Sequence, residues 1–103
     1  MIKVSVLYPN GSGAKFNMDY YMKSHMPMVQ KKLGDALKGM SIEEGLGGIP
    51  PGSPAPYLAS GSLLFESVEA FGAVFTAHAE SIMADIPNYT NTQPVIQISM
   101  VKL

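Results

Sequence analysis

Cysteine is absent from this chain, so the residues best able to move a proton near neutral pH are its two histidines, His25 and His78. His25 lies in the run FNMDYYMKSHMPMV, from Phe16 to Val29, two residues before Pro27. Counted from an N-cap at Asn17, Met18, Tyr21, Met22, His25, Met28 and Val29 share one helical face. Lys23, Lys31 and Lys32 fall elsewhere, so His25 is expected to point inward. Pro27 offers no N–H to the carbonyl of Lys23, which predicts a polar gap beside the imidazole. An imidazole held neutral by burial accepts a proton, and Tyr21, one turn earlier, can hold its tautomer or bind a substrate oxygen. The alternative is a core histidine satisfied by a freed backbone carbonyl, with Tyr21 as a wall residue.

The second histidine sits on a second amphipathic helix, where Phe71, Val74, Phe75, His78, Ile82 and Met83 share a face. Phe75 and His78 are therefore candidates to line a ligand pocket, together with Met22 and Tyr89, the latter at its mouth. Asp85 and Asn88 are read as cap and turn residues. The methionine face of Met18, Met22 and Met28 is either a malleable ligand wall or ordinary core. His78 and Glu80 diverge on a helix and have no third partner, so no metal site is expected. Ser60, Ser62 and Ser99 lack the strand-to-helix elbow of a nucleophilic serine.

The elements that must position these groups are legible along the chain. Ile2 to Tyr8 alternates as a first strand, with Ile2, Val4, Val6 and Tyr8 on one face and Lys3, Ser5 and Leu7 on the other. Phe16 can staple onto Tyr21, Asp19 suits the first helical turn, and Gly34 can take the left-handed position that ends the helix. A second strand is expected over Leu37 to Glu44 and a third over Leu58 to Phe65, where Ala59, Gly61 and Ser62 allow close approach to the backbone. Between them the Gly/Pro segment Gly45 to Pro56 can only be a loop, either a lid, a dimer arm or a surface insertion. Ser67 caps the second helix, and Val95 to Val101 alternates as a fourth strand.

The order β-α-β-β-α-β predicts an α+β, ferredoxin-like domain over residues 1–103, a four-stranded antiparallel sheet with both helices on one face. Ser5, Leu7, Gln97, Ser99 and Val101 would lie on the bare face, suited to meeting a second copy across a two-fold axis. A low charged fraction of 15% beside 47% hydrophobic residues also favours a homodimer. The net charge of -1 and the lack of arginine argue against nucleic acid, nucleotides and anionic membranes as partners, leaving a neutral, hydrophobic small molecule. The N-terminus resembles neither a signal peptide nor a membrane span, so a cytoplasmic location is expected.

The opening strand VSVLYP, the helix carrying Tyr21, His25, Met26 and Pro27, the small-residue third strand and the ending ADIPNYTNTQPVIQIS, Ala84 to Ser99, resemble the EthD family. That family is named for an ethyl tert-butyl ether degradation gene cluster and has the dimeric α+β-barrel form of the ferredoxin-like fold. The resemblance implies a small dimeric protein of unassigned role within a superfamily of cofactor-free monooxygenases, cyclases, isomerases and haem-binding enzymes. It implies an enzyme, either an oxidoreductase or a proton-transfer isomerase or cyclase, acting on a hydrophobic oxygenated molecule with His25 and Tyr21 as the catalytic residues. The alternative is a non-catalytic carrier serving a partner oxygenase. No cofactor is expected, although haem-binding relatives would place an iron ligand on the second helix, where His78 stands.

Overall fold

In a computed structural model that describes all 103 residues, four strands and two helices follow the expected order. Strand β1 (Ile2–Pro9) is central, flanked by β3 (Tyr57–Phe65) and β4 (Val95–Met100), with β2 (Gly39–Glu44) outside β3. All three pairings are antiparallel, which with the order β2-β3-β1-β4 is the ferredoxin-like arrangement. β2 starts two residues later than its pattern suggests, because Gly34–Ala36 turns as a short 3-10 helix before the chain reaches the sheet. Gly34 has φ +57, which explains why a glycine ends the first helix.

The caps form as the residue types require. The Asn17 side chain accepts from the Tyr20 N–H at 3.0 Å, and the Ser67 hydroxyl accepts from the Ala70 N–H at 3.1 Å at the start of the second helix, Val68–Ala84. Phe16 packs edge-on against Tyr21 with ring centroids 5.0 Å apart. The first helix is less regular than its periodicity suggests. It is α-helical over Met18–Tyr20, widens into a π turn over Tyr21–His25, and returns to α over Met26–Leu33. In the widened turn the Met26 N–H donates five residues back, to the Tyr21 carbonyl, immediately ahead of Pro27. The proline's missing donor and its ring disrupt the ordinary ladder there, and the extra residue in the turn rotates Tyr21 and His25 together onto the core side.

Alternation along the strands sorts the sheet into two faces. Ile2, Val4, Tyr8, Ala59, Leu63 and Phe65 are buried beneath the helices with Met26, Val29, Leu33 and Ile82. The opposite face carries Ser5 in register with Ser62 and Gln97, and Leu7 in register with Ser60 and Val95, and has no layer over it. β4 is an edge strand, and its Ile96 and Ile98, although on the helix side, are 44% and 46% exposed. No helix is long and apolar enough to cross a membrane.

Candidate active site

His25 is 3% exposed and therefore needs partners for both ring nitrogens. Its Nδ1 lies 2.9 Å from Oδ2 of Asp85. A carboxylate can only accept, so Nδ1 carries the proton and Nε2 is left with its lone pair. On that side the Tyr89 hydroxyl approaches to 3.4 Å and is itself 2.7 Å from the hydroxyl of Tyr8. The outer oxygen of Asp85, Oδ1, accepts from the Tyr20 hydroxyl at 2.7 Å and from the Asn88 side-chain amide at 2.9 Å.

Three parts of the chain bring these groups together. The π turn aims His25 inward, and β1 supplies Tyr8 from its last helix-facing position. Asp85 caps the second helix, after which a 3-10 turn over Ile86–Asn88 sends the chain back across the first helix. That return is pinned: the Asn17 N–H donates to the Tyr89 carbonyl at 2.7 Å, the Lys15 N–H to Oδ1 of Asn91 at 2.8 Å, and the Thr90 hydroxyl to the Lys15 carbonyl at 2.6 Å. Tyr89 thus packs against His25 with ring centroids 4.6 Å apart.

The electrostatics suit a neutral base. Burial pushes the His25 imidazole below its ordinary value, and the Asp85 carboxylate only partly opposes this. Burial would raise the Asp85 carboxyl, but hydrogen bonds from Asn88, Tyr20 and His25 outweigh it and hold the group below the usual carboxylate range. Burial raises the phenols of Tyr8, Tyr21 and Tyr89 far above neutrality, so all three remain protonated.

Beside the imidazole lies a cavity of about 80 Å³ between the sheet and both helices, walled by Val4, Val6, Tyr8, Tyr21, His25, Met26, Val29, Leu33, Gly61, Leu63, Phe71, Phe75, Ile82, Met83, Ile86 and Ile96. A single water needs roughly 10–15 Å³ on the same measure, so the space can take a small organic molecule. Met83 and Ile96 are exposed as well as lining it, which puts the mouth between the second helix and β4. No lysine, aspartate or glutamate lines the space; its polar side chains are those of His25, Tyr8 and Tyr21.

Of the residues singled out from the sequence, His25, Tyr21 and Phe75 line this cavity. Tyr89 stands behind the wall, bonded to His25 rather than at the mouth. Met22 is 46% exposed and lies outside it, because the π turn shifts the helical register that seemed to point it inward. His78 is also outside the lining, on a shoulder of the second helix whose phenylalanines and Ile82 do face the sheet. The position of His78 and the size of the cavity do not fit a haem, whose macrocycle is several-fold larger than this space. No group of three His, Asp or Glu side chains is arranged to hold a metal ion.

The imidazole's tautomer is held by Asp85 and not by Tyr21, whose ring stacks on His25 with centroids 5.6 Å apart and 13° between planes. Asp85 does cap the helix, but its carboxylate serves the site, a role hidden in the sequence by 60 residues of separation. The sequence pattern places Tyr8 only on the buried face of a strand. Its position opposite Ala59, beside a tyrosine-rich helix, was the one available signal. The loop over residues 45–56 contributes nothing to the cavity and does not act as its lid; it is tied instead to Asn10, whose N–H donates to the Pro56 carbonyl at 2.9 Å.

Comparison with known proteins agrees with this architecture. The EthD domain model matches residues 12–93, which include His25, Asp85 and Tyr89. The chain belongs to the EthD family. A crystal structure of an EthD-like protein from Ralstonia eutropha is 42% identical, with a TM-score of 0.94 over 99% of this chain and 92% of that one. An ethyl tert-butyl ether degradation (EthD) family protein from Bacillus halodurans, 15% identical, superposes with a TM-score of 0.76 over 99% of both chains. A DABB family protein with a ferredoxin-like fold from Mesorhizobium loti, 15% identical, gives 0.57 over 99% and 96%. The latter two share the EthD fold. A search of the curated proteins matches none.

Proposed function

We propose that this EthD protein is an enzyme that moves a proton on a small, neutral, hydrophobic and oxygenated molecule, with His25 as the acid/base. The single observation that carries the reading is the His25–Asp85 pair, which leaves Nε2 unprotonated, with the Tyr89 hydroxyl facing it, on a residue that lines a largely apolar cavity. A carboxylate behind Nδ1 fixes the tautomer and stabilises the imidazolium formed when Nε2 takes a proton. Tyr21, kept protonated and lining the same cavity, would stabilise oxygen charge on the substrate. An anionic substrate is disfavoured, since no cation lines the cavity and Asp85 already places a negative charge behind the imidazole.

Abstraction of a proton next to a carbonyl, or from an enol or phenol, is common to isomerisation, cyclisation and activation of an electron-rich ring toward oxygen, and needs no cofactor. The protein is further proposed to act as a homodimer through its uncovered sheet face, where Leu7 sits among small polar residues.

The test is incorporation of solvent deuterium into a panel of small cyclic ketones and phenols. Wild-type protein is expected to accelerate exchange for part of the panel, and His25→Asn to abolish the acceleration. Binding of panel members with no exchange by wild type would favour the carrier reading instead.

A further inference from the structure

The polarity of the hydrogen bonds that run from Asp85 to the cavity is set from one end. Asp85 accepts, so His25 donates through Nδ1 and must accept through Nε2. The group facing Nε2 is the Tyr89 hydroxyl, which therefore donates its proton to the imidazole. Its oxygen is then free to accept from Tyr8, 2.7 Å away. Having given its proton to Tyr89, Tyr8 can only accept; the Tyr21 hydroxyl beside it is one donor to it, and both residues line the cavity, where a ligand hydroxyl would be another. Tyr89 does not reach the cavity, so its hydroxyl connects the other two groups and nothing else.

We infer that Asp85, His25, Tyr89 and Tyr8 form a directional proton relay whose cavity end, Tyr8, takes a proton from a neutral hydroxyl-bearing ligand, a phenol or an enol. The inference rests on the proposed role of His25 as the base. In the step, the ligand's O–H bond breaks and its proton bonds to the Tyr8 oxygen. The proton already on Tyr8 passes to the Tyr89 oxygen, and that on Tyr89 to Nε2 of His25. The products are a ligand oxyanion and an imidazolium facing the Asp85 carboxylate, with both phenols neutral as before. Return of the proton runs the chain backwards. The 3.4 Å separation at the Tyr89–His25 link is the longest in the chain, as expected for a link that tightens when ligand engages Tyr8.

The groups that bear on the imidazole's titration are Asp85 from the end of the second helix, Tyr89 from the segment after it, Tyr21 from its own helix, and Tyr8 on β1 through Tyr89. Tyr20 and Asn88 act through Asp85.

The test uses protein labelled with carbon-13 at the tyrosine Cζ, read by NMR through the titration of His25. In wild type the Tyr89 and Tyr8 resonances are expected to shift with the midpoint of His25, and in His25→Asn neither does. In Tyr89→Phe, which keeps the ring, the response of Tyr8 is lost; in Tyr8→Phe that of Tyr89 remains. A Tyr8 resonance that ignores His25 in wild type, or that still follows it in Tyr89→Phe, overturns the relay. Should Tyr89→Phe fail to fold, the wild-type, His25→Asn and Tyr8→Phe titrations still decide. The ligand class is tested by calorimetry with phenol and anisole. Phenol is expected to bind about tenfold or more tightly than anisole, the worth of roughly one hydrogen bond, and Tyr8→Phe to erase the difference. Equal binding of the two by wild type overturns the assignment. Turnover judges the role of His25 and these resonances judge the relay, so either can fail alone.

Discussion

Nδ1 of His25 and Oδ2 of Asp85 stand 2.9 Å apart although 60 residues separate them, and the rest of the site is ordered by that bond. Asp85→Asn preserves shape while replacing an acceptor with a group that can also donate. It is expected to release the tautomer, lower the His25 midpoint further by removing the opposing carboxylate, and cut turnover by up to about 10⁴, the scale seen when such a carboxylate is neutralised in an Asp-His pair. Turnover and an imidazole titration on the same variant check both parts.

Stability should depend on pH through the same residue. In the folded protein burial holds the imidazole below its ordinary value, whereas in the unfolded chain it protonates near ~6.5. As pH falls below ~6.5, the unfolded chain takes up a proton that the folded one refuses, so unfolding free energy falls by up to about 1.4 kcal/mol per pH unit. The loss stops once the pH passes below the folded midpoint. Asp85, also held low, adds a second loss in the same direction below ~3.9. Urea unfolding across pH 8 to 3 should show the first phase in wild type and lack it in His25→Asn.

Gly61 lies beneath the Tyr21 hydroxyl, and a Cβ at that position would collide with it. Gly61→Ala is expected to cost about 1–3 kcal/mol by displacing a buried ring. Tyr21→Phe should relieve part of the cost, and the double-mutant cycle on unfolding free energies measures how much.

A homodimer through the bare sheet face should give a solution mass of twice 11.0 kDa by light scattering. Leu7→Glu, in the middle of that face, should return the mass to one chain without loss of secondary structure. Wild-type protein at the mass of one chain would contradict the dimer.

Much of the fold was readable because local signals and the global arrangement agree. Asn17 and Ser67 cap as their side chains allow, β1 alternates over its whole length, and the small residues of β3 do admit a close neighbour, the Tyr21 hydroxyl. His25 was legible as a buried titratable group for the same reason, being one position on a strongly periodic helix. The partners that give it a chemical role were not. Asp85 looked like a cap because it is one, and helical counting has no term for the far end of another helix. Met22 lies off the inward face that helical spacing predicts, because 3.6-residue periodicity fails across a π turn, a deviation that Pro27 signals without specifying its register.

The most direct test of the central claim is the pH dependence of deuterium exchange into an accepted ligand, compared with the His25 midpoint measured by NMR on the same protein. The account predicts a rate that rises as pH increases through that midpoint, below ~6.5, and is level above it, because Nε2 must be unprotonated to accept. A rate indifferent to the His25 titration, or undiminished in His25→Asn, would contradict it.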